Sequence, residues 1–134
     1  MVPTPRVSQG EFTSAAAVSS TDVWAVGFHS GLENLTEHWD GMAWEKVGVP
    51  APSNGQLLAV SATSSTDVWA VGFYDKGVNR SLTEHWDGAG WTWVPSPNPG
   101  QARKGDTFLA GISAIGPDDA WAVGFSTGGV AGTP

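Results

Sequence analysis

The sequence has no cysteine, which excludes disulfides, thiolate metal centres and a cysteine nucleophile. Basic residues are scarce: six Lys and Arg stand against thirteen Asp and Glu, a formal net charge of −7. A surface of that sign repels phosphates, so nucleic acid and anionic membranes are poor partners. Only 14% of residues are charged while 40% are hydrophobic, a balance that belongs to a folded chain. No apolar run reaches the length of a membrane-spanning helix. Met1–Gly10 lacks the basic-then-apolar layout of a secretory leader. There is no H-E-x-x-H metal motif, no phosphate loop and no D-x-D-x-D-G calcium spacing. No catalytic residue, metal ligand or cofactor is therefore assigned.

What is abundant is tryptophan, glycine and repetition. Eight Trp and eighteen Gly occur in 134 residues. Ser20-Thr21-Asp22-Val23-Trp24-Ala25-Val26-Gly27-Phe28 returns as Ser65-Thr66-Asp67-Val68-Trp69-Ala70-Val71-Gly72-Phe73, and in part as Asp119-Ala120-Trp121-Ala122-Val123-Gly124-Phe125. Leu35-Thr36-Glu37-His38-Trp39-Asp40-Gly41 returns as Leu82-Thr83-Glu84-His85-Trp86-Asp87-Gly88. Trp44 follows the first copy as Trp91 follows the second. The unit is about 45 residues, a length typical of propeller blades.

Each unit holds four short runs rich in β-branched and aromatic residues and bounded by turn residues. In the second unit, strand A is expected near Gln56–Thr63, B near Asp67–Tyr74, C near Ser81–Trp86 and D near Trp91–Val94. No segment keeps a helical period, so less than about a tenth of residues should be helical. In strand B, Trp69, Val71 and Phe73 point one way and Val68, Ala70 and Gly72 the other. Both faces are apolar, so the sheet needs a neighbour on each side. Asp40-Gly41 and Asp87-Gly88 are hairpin signals between C and D, because glycine accepts positive φ. The A–B and C–D turns are short and share one rim. The longer, dissimilar B–C and D–A connectors share the other, which is where variable loops on a rigid scaffold carry function.

These residues resemble kelch repeats, in the form of a kelch-like group of bacterial β-propeller sequences. Trp24-Ala25-Val26-Gly27 stands at the strand B position, Trp39 at the strand C aromatic and Trp44 at the opening of strand D. Trp69–Gly72, Trp86 and Trp91 repeat the match. The second Gly of the kelch doublet is replaced by Phe28, Phe73 and Phe125. The resemblance implies an all-β fold of four-stranded antiparallel propeller blades, with about two and a half blades per chain. Residues 1–10 read as the end of a preceding outer strand, Val2-Pro3-Thr4-Pro5 being similar to Val94-Pro95-Ser96-Pro97. Residues 11–50 read as blade one, 51–98 as blade two and 99–134 as a half blade with strands A and B only. Closed propellers typically need four to eight blades.

A half blade would leave an open strand edge and bare apolar faces, which drive association. The expectation is a homo-oligomer, two-fold or three-fold, with Trp121, Val123 and Phe125 as its contact. In a two-fold assembly, two A–B halves could pair through strand B. Trp24, Trp69 and Trp121 are expected to be buried packing residues. His38 and His85 are read as structural, tying strand C to the start of strand B through Asp22 or Asp67. The non-repeating rim residues Glu33, Asn34, Tyr74, Asp75, Asn79 and Arg80 are the candidate ligand site, and Arg103 and Lys104 add a basic patch. Aromatics with amides and carboxylates suit a sugar, so carbohydrate or protein is the candidate ligand. Trp93, whose counterpart is Lys46, adds an aromatic to an outermost strand. The function expected is a non-catalytic, self-assembling binding module. Its alternatives are a fragment of a large extracellular repeat protein and, less favoured, a propeller enzyme. The compartment is left open, with an extracellular or cell-surface setting favoured.

Overall fold

The computed structural model describes residues 3, 9–30, 33–50, 52–99 and 105–128. Ten strands follow in chain order: β1 Gly10–Ser19, β2 Asp22–His29, β3 Glu33–Trp39, β4 Trp44–Lys46, β5 Gly55–Ser64, β6 Asp67–Asp75, β7 Asn79–Trp86, β8 Trp91–Trp93, β9 Thr107–Gly116 and β10 Asp119–Ser126. They form two four-stranded sheets, ordered β1-β2-β3-β4 and β5-β6-β7-β8, and one two-stranded sheet of β9 and β10. Every pairing is antiparallel. The fold is all-β, and among the described residues there is no helix.

The repeated sequence builds repeated local structure. Between β1 and β2 the register slips after Phe12 and again after Ala17, and the β5–β6 pair slips after Leu57 and Ala62. The β9–β10 pair carries the same two irregularities, beside Gly124 and beside Asp119. The third sheet is thus built as the inner half of the other two. The first slip explains one repeated glycine. A Cβ on Gly72 would lie 1.8 Å from the Gln56 carbonyl oxygen, and one on Gly124 would lie 1.8 Å from that of Phe108. Only hydrogen fits where the bulged strand A turns a carbonyl into strand B. At the β3–β4 and β7–β8 turns, Gly41 and Gly88 both have φ 98°. Asp40 Oδ1 accepts from the Met42 and Ala43 amides, and Asp87 Oδ1 from those of Ala89 and Gly90. These bonds hold both carboxyls below the usual carboxylate range.

The sheets stack face to face through their inner strands. Thr13 Oγ1 donates to the Leu57 carbonyl at 2.7 Å, the Val60 amide donates to Ser14 Oγ, and the Ala114 amide donates to Ser61 Oγ. The main core fills the space between the first two sheets: Trp24 and Val26 from one side, and Val68, Ala70, Leu82 and Trp91 from the other. Trp24 lies 4.7 Å from the ring of Trp86 and 5.2 Å from that of Trp91.

The expectation that all three strand B tryptophans are buried needs correction. Trp24 is 1% exposed, Trp69 is half-buried and Trp121 is 69% exposed. Their sequences are equivalent, and what differs is the number of neighbouring strands. Trp24 has the whole second sheet against it, Trp69 only the two-stranded third sheet, and Trp121 has no sheet beyond it among the described residues. Of the residues read as a preceding strand, 1, 2 and 4–8 lie outside the described set, as do Arg103 and Lys104. Pro3 is described, and its carbonyl accepts the Trp44 indole N–H.

Candidate functional site

Of the rim residues, Tyr74 pairs in register with Arg80 and Asp75 with Asn79 across the β6–β7 hairpin, while Glu33 and Asn34 lie on the first sheet. Glu33 is exposed at the start of β3, and Asn34 donates through Nδ2 to the Pro52 carbonyl at 3.4 Å. Asp75 Oδ1 accepts from the Gly77 amide at 2.8 Å, closing its own turn. The Asn79 amide donates to Asp106 Oδ1 at 2.7 Å, and Arg80 Nη1 donates to the Gly105 carbonyl at 3.2 Å. Asn79 and Arg80 therefore tie the β6–β7 loop to the connector entering the third sheet. Connectors have backbone groups to satisfy: Arg80 meets that need for the Gly105 carbonyl, and the Asp106 side chain does the same for the Asn79 amide. Tyr74 stands edge-on to Trp93 with ring centroids 5.5 Å apart. Tyr74, Trp93, Ser81, Ser96 and Asn98 line a shallow groove of about 310 Å3. Ser81 Oγ and Ser96 Oγ already bond each other at 2.7 Å.

The acid–histidine pairs are geometrically alike. His38 Nε2 lies 2.7 Å from Asp22 Oδ1, and His85 Nε2 lies 2.7 Å from Asp67 Oδ1. Each imidazole packs on its own strand B indole, at 4.6 Å for Trp24 and 4.3 Å for Trp69. Thr63 Oγ1 donates to the second oxygen of Asp67. That places the carboxylate between hydroxyl and imidazole, whereas a nucleophile triad needs the imidazole in the middle. Gly124-Phe125-Ser126-Thr127-Gly128 spells G-x-S-x-G. That motif serves catalysis on a strand-to-helix turn, while Ser126 here is the exposed last residue of β10. Among the described residues no cluster of His, Asp and Glu could hold a metal.

Glu84 is the unusual titratable group. It is completely buried, facing the first sheet, and neither carboxyl oxygen has a hydrogen-bond partner. Burial pushes its pKa up to about 7. Its counterpart Glu37 is also raised by burial, but Lys46 and His29 oppose the shift. Lys46 pairs in register with Glu37, and Trp93 pairs in register with Glu84. The replacement of a cation by an indole removes the charge that would accompany the carboxylate.

A concavity of about 740 Å3 lies between the second and third sheets. Trp69, Thr83 and Pro95 form one wall, and Leu109, Ile112 and Ala122 belong to the other. Beyond it β10 exposes Trp121, Val123 and Phe125, at 69%, 68% and 58%. Isolated exposed apolar residues are ordinary, whereas these three alternate along one face of β10, whose described pairing is to β9 alone.

No protein-family model and no curated protein matches the chain. Among solved structures it is similar to one described as Ycf48 bound to D1 peptide, at TM-score 0.61 and 16% identity. The match covers 96% of this chain and 43% of that one, so the chain spans less than half that protein's length. At this identity the likeness shows the fold: the three sheets match part of a β-propeller.

Proposed function

We propose that the chain is a non-catalytic, kelch-like propeller segment whose third sheet is an assembly surface. Its partner is a further polypeptide, in the simplest case a second copy. The observation that carries this reading is β10, whose described pairing is to β9 alone and whose outward face is Trp121, Val123 and Phe125. Apolar area left in water is unfavourable by about 25 cal/mol per Å2, so covering this face rewards association. The described binding of a peptide to the solved neighbour is a precedent at the level of fold only.

Light scattering at micromolar concentration tests the reading. A discrete oligomer is expected, and Trp121→Glu should reduce its mass. A monomer at that concentration would refute self-association. A second reading, recognition of a carbohydrate, rests on the Tyr74–Trp93 groove, where Trp93 is 43% exposed. Aromatic surfaces suit the C–H face of a sugar ring, and Asn98 and the two serines supply polar groups. Glycan titration followed by tryptophan fluorescence tests it: a saturable response lost in Trp93→Ala is expected, and no response to any glycan sinks it.

A further inference from the structure

The first and second sheets present the same surface to their successors, but only the first is covered in full. Trp24 on the first sheet is sealed by Trp86 and Trp91, which come from β7 and β8 of the second. Trp69 holds the equivalent place on the second sheet and packs on its own His85 as Trp24 packs on His38. Where a third pair of outer strands would seal Trp69, there is instead the cleft of about 740 Å3. The pattern Leu-Thr-Glu-His-Trp-Asp-Gly with a following Trp occurs twice in the 134 residues and not a third time.

We infer that this cleft is a docking site for a β-hairpin of the β7–β8 type, supplied by a polypeptide segment outside residues 1–134. The hairpin pairs its first strand with the edge of β10 and lays two tryptophans over Trp69. This rests on the reading of the third sheet as an assembly surface, and it names what completes it. The internal repeat specifies the occupant: the covered copy shows which side chains fill the space. A second copy's β10 fits poorly. An antiparallel pair related by a two-fold axis keeps the same residues on the same face. The copy would therefore turn Ala120, Ala122 and Gly124 toward the cleft, where the covered site has indoles. Nor do the described residues of a second copy hold a spare hairpin, since β3–β4 and β7–β8 already form the outer halves of its own sheets.

The probe is a synthetic peptide with the sequence of residues 79–94, titrated into the full chain by calorimetry. Saturable one-to-one binding is expected. Replacing two of its three tryptophans, Trp86→Ala and Trp91→Ala, should weaken binding by roughly thirtyfold or more, as for paired aromatic anchors. In the protein, Ala122→Arg places a charge in the cleft from an exposed position and should abolish binding while leaving the melting temperature of the free chain unchanged. As a second route independent of peptide solubility, the same sequence is appended after Pro134 through a flexible linker. The fusion should melt higher than the parent, and the gain should vanish with Ala122→Arg. Absence of saturable binding together with an unchanged melt overturns the inference, as does binding that Ala122→Arg leaves intact. An oligomer whose mass and melt the hairpin does not alter overturns the inference while leaving self-association standing.

Discussion

Replacing Glu84 by glutamine is expected to stabilise the protein at alkaline pH, although it alters a fully buried side chain. Glu84 has no hydrogen-bond partner on either oxygen, and its pKa is about 7 against an ordinary 4.5. The folded state therefore holds the proton more tightly than the unfolded state does. Below the ordinary pKa both states are protonated and the full stability is present. As pH rises through about 7 it is lost, because the folded state must then carry a buried charge. The gap between 4.5 and about 7 corresponds to about 3 kcal/mol at 1.36 kcal/mol per pKa unit. For a chain of this size that is on the order of 10 °C in melting temperature. The assay is thermal melting of the parent and Glu84→Gln at a series of pH values from 4 to 9. The histidines and the other carboxylates are common to both proteins, so the difference between the curves isolates Glu84. The two proteins should diverge progressively above the ordinary carboxylate range, with the parent falling away. If the curves stay parallel across the series, the carboxyl is solvated or paired and the reasoning fails.

Trp93→Lys should shrink the same pH-dependent loss, since Lys46 occupies the matching register position beside Glu37 and opposes its shift. The check is the slope of melting temperature against pH between the ordinary carboxylate value of 4.5 and about 7, where the folded and unfolded states differ in protonation. Trp24→Ala should destabilise by about 3–5 kcal/mol, the range for a buried aromatic. Trp121→Ala, at 69% exposure, should change the stability of an unassociated chain little, as is usual at exposed positions. Chemical denaturation of the two variants side by side tests that order. Gly72→Ala should cost about 1–3 kcal/mol or more, because its Cβ would meet the Gln56 carbonyl and not a flexible side chain. The same denaturation experiment reads it, and a midpoint equal to the parent's would contradict the bulge.

The strands were legible because they repeat. Two copies of Asp-Val-Trp-Ala-Val-Gly-Phe and two of Leu-Thr-Glu-His-Trp-Asp-Gly locate β2, β3, β6 and β7, and the Asp-Gly turns place β4 and β8. Burial was less legible, because it belongs to pairs of sheets and not to a motif. Trp24, Trp69 and Trp121 share one sequence setting and have three different environments. The rim was ambiguous for a related reason. Asn79 and Arg80 are polar and unrepeated, which suits a ligand site equally well as it suits a connector. A long connector brings unpaired backbone groups to the surface, and here Asp106 and Gly105 meet those two residues.

Glu84 shows how far a repeat can be pushed as a source of inference. Its motif is identical to that of Glu37, and from the motif alone the two carboxyls should behave alike. The sequence does mark the difference, at Trp93 against Lys46. But the mark falls nine residues away in sequence, on the next strand, and acquires meaning only once β7 and β8 are in register. Strand pairing turns that one substitution into a change of charge beside a buried acid. The stacking of the first sheet then removes the water that would have compensated, leaving both oxygens without a partner. The cleft beside Trp69 follows the same logic in reverse: there the motif is intact, and it is the facing hairpin that has no counterpart among the described residues. In both places the departure from repetition, more than any repeated residue, carries the chemistry that one blade has and the other lacks.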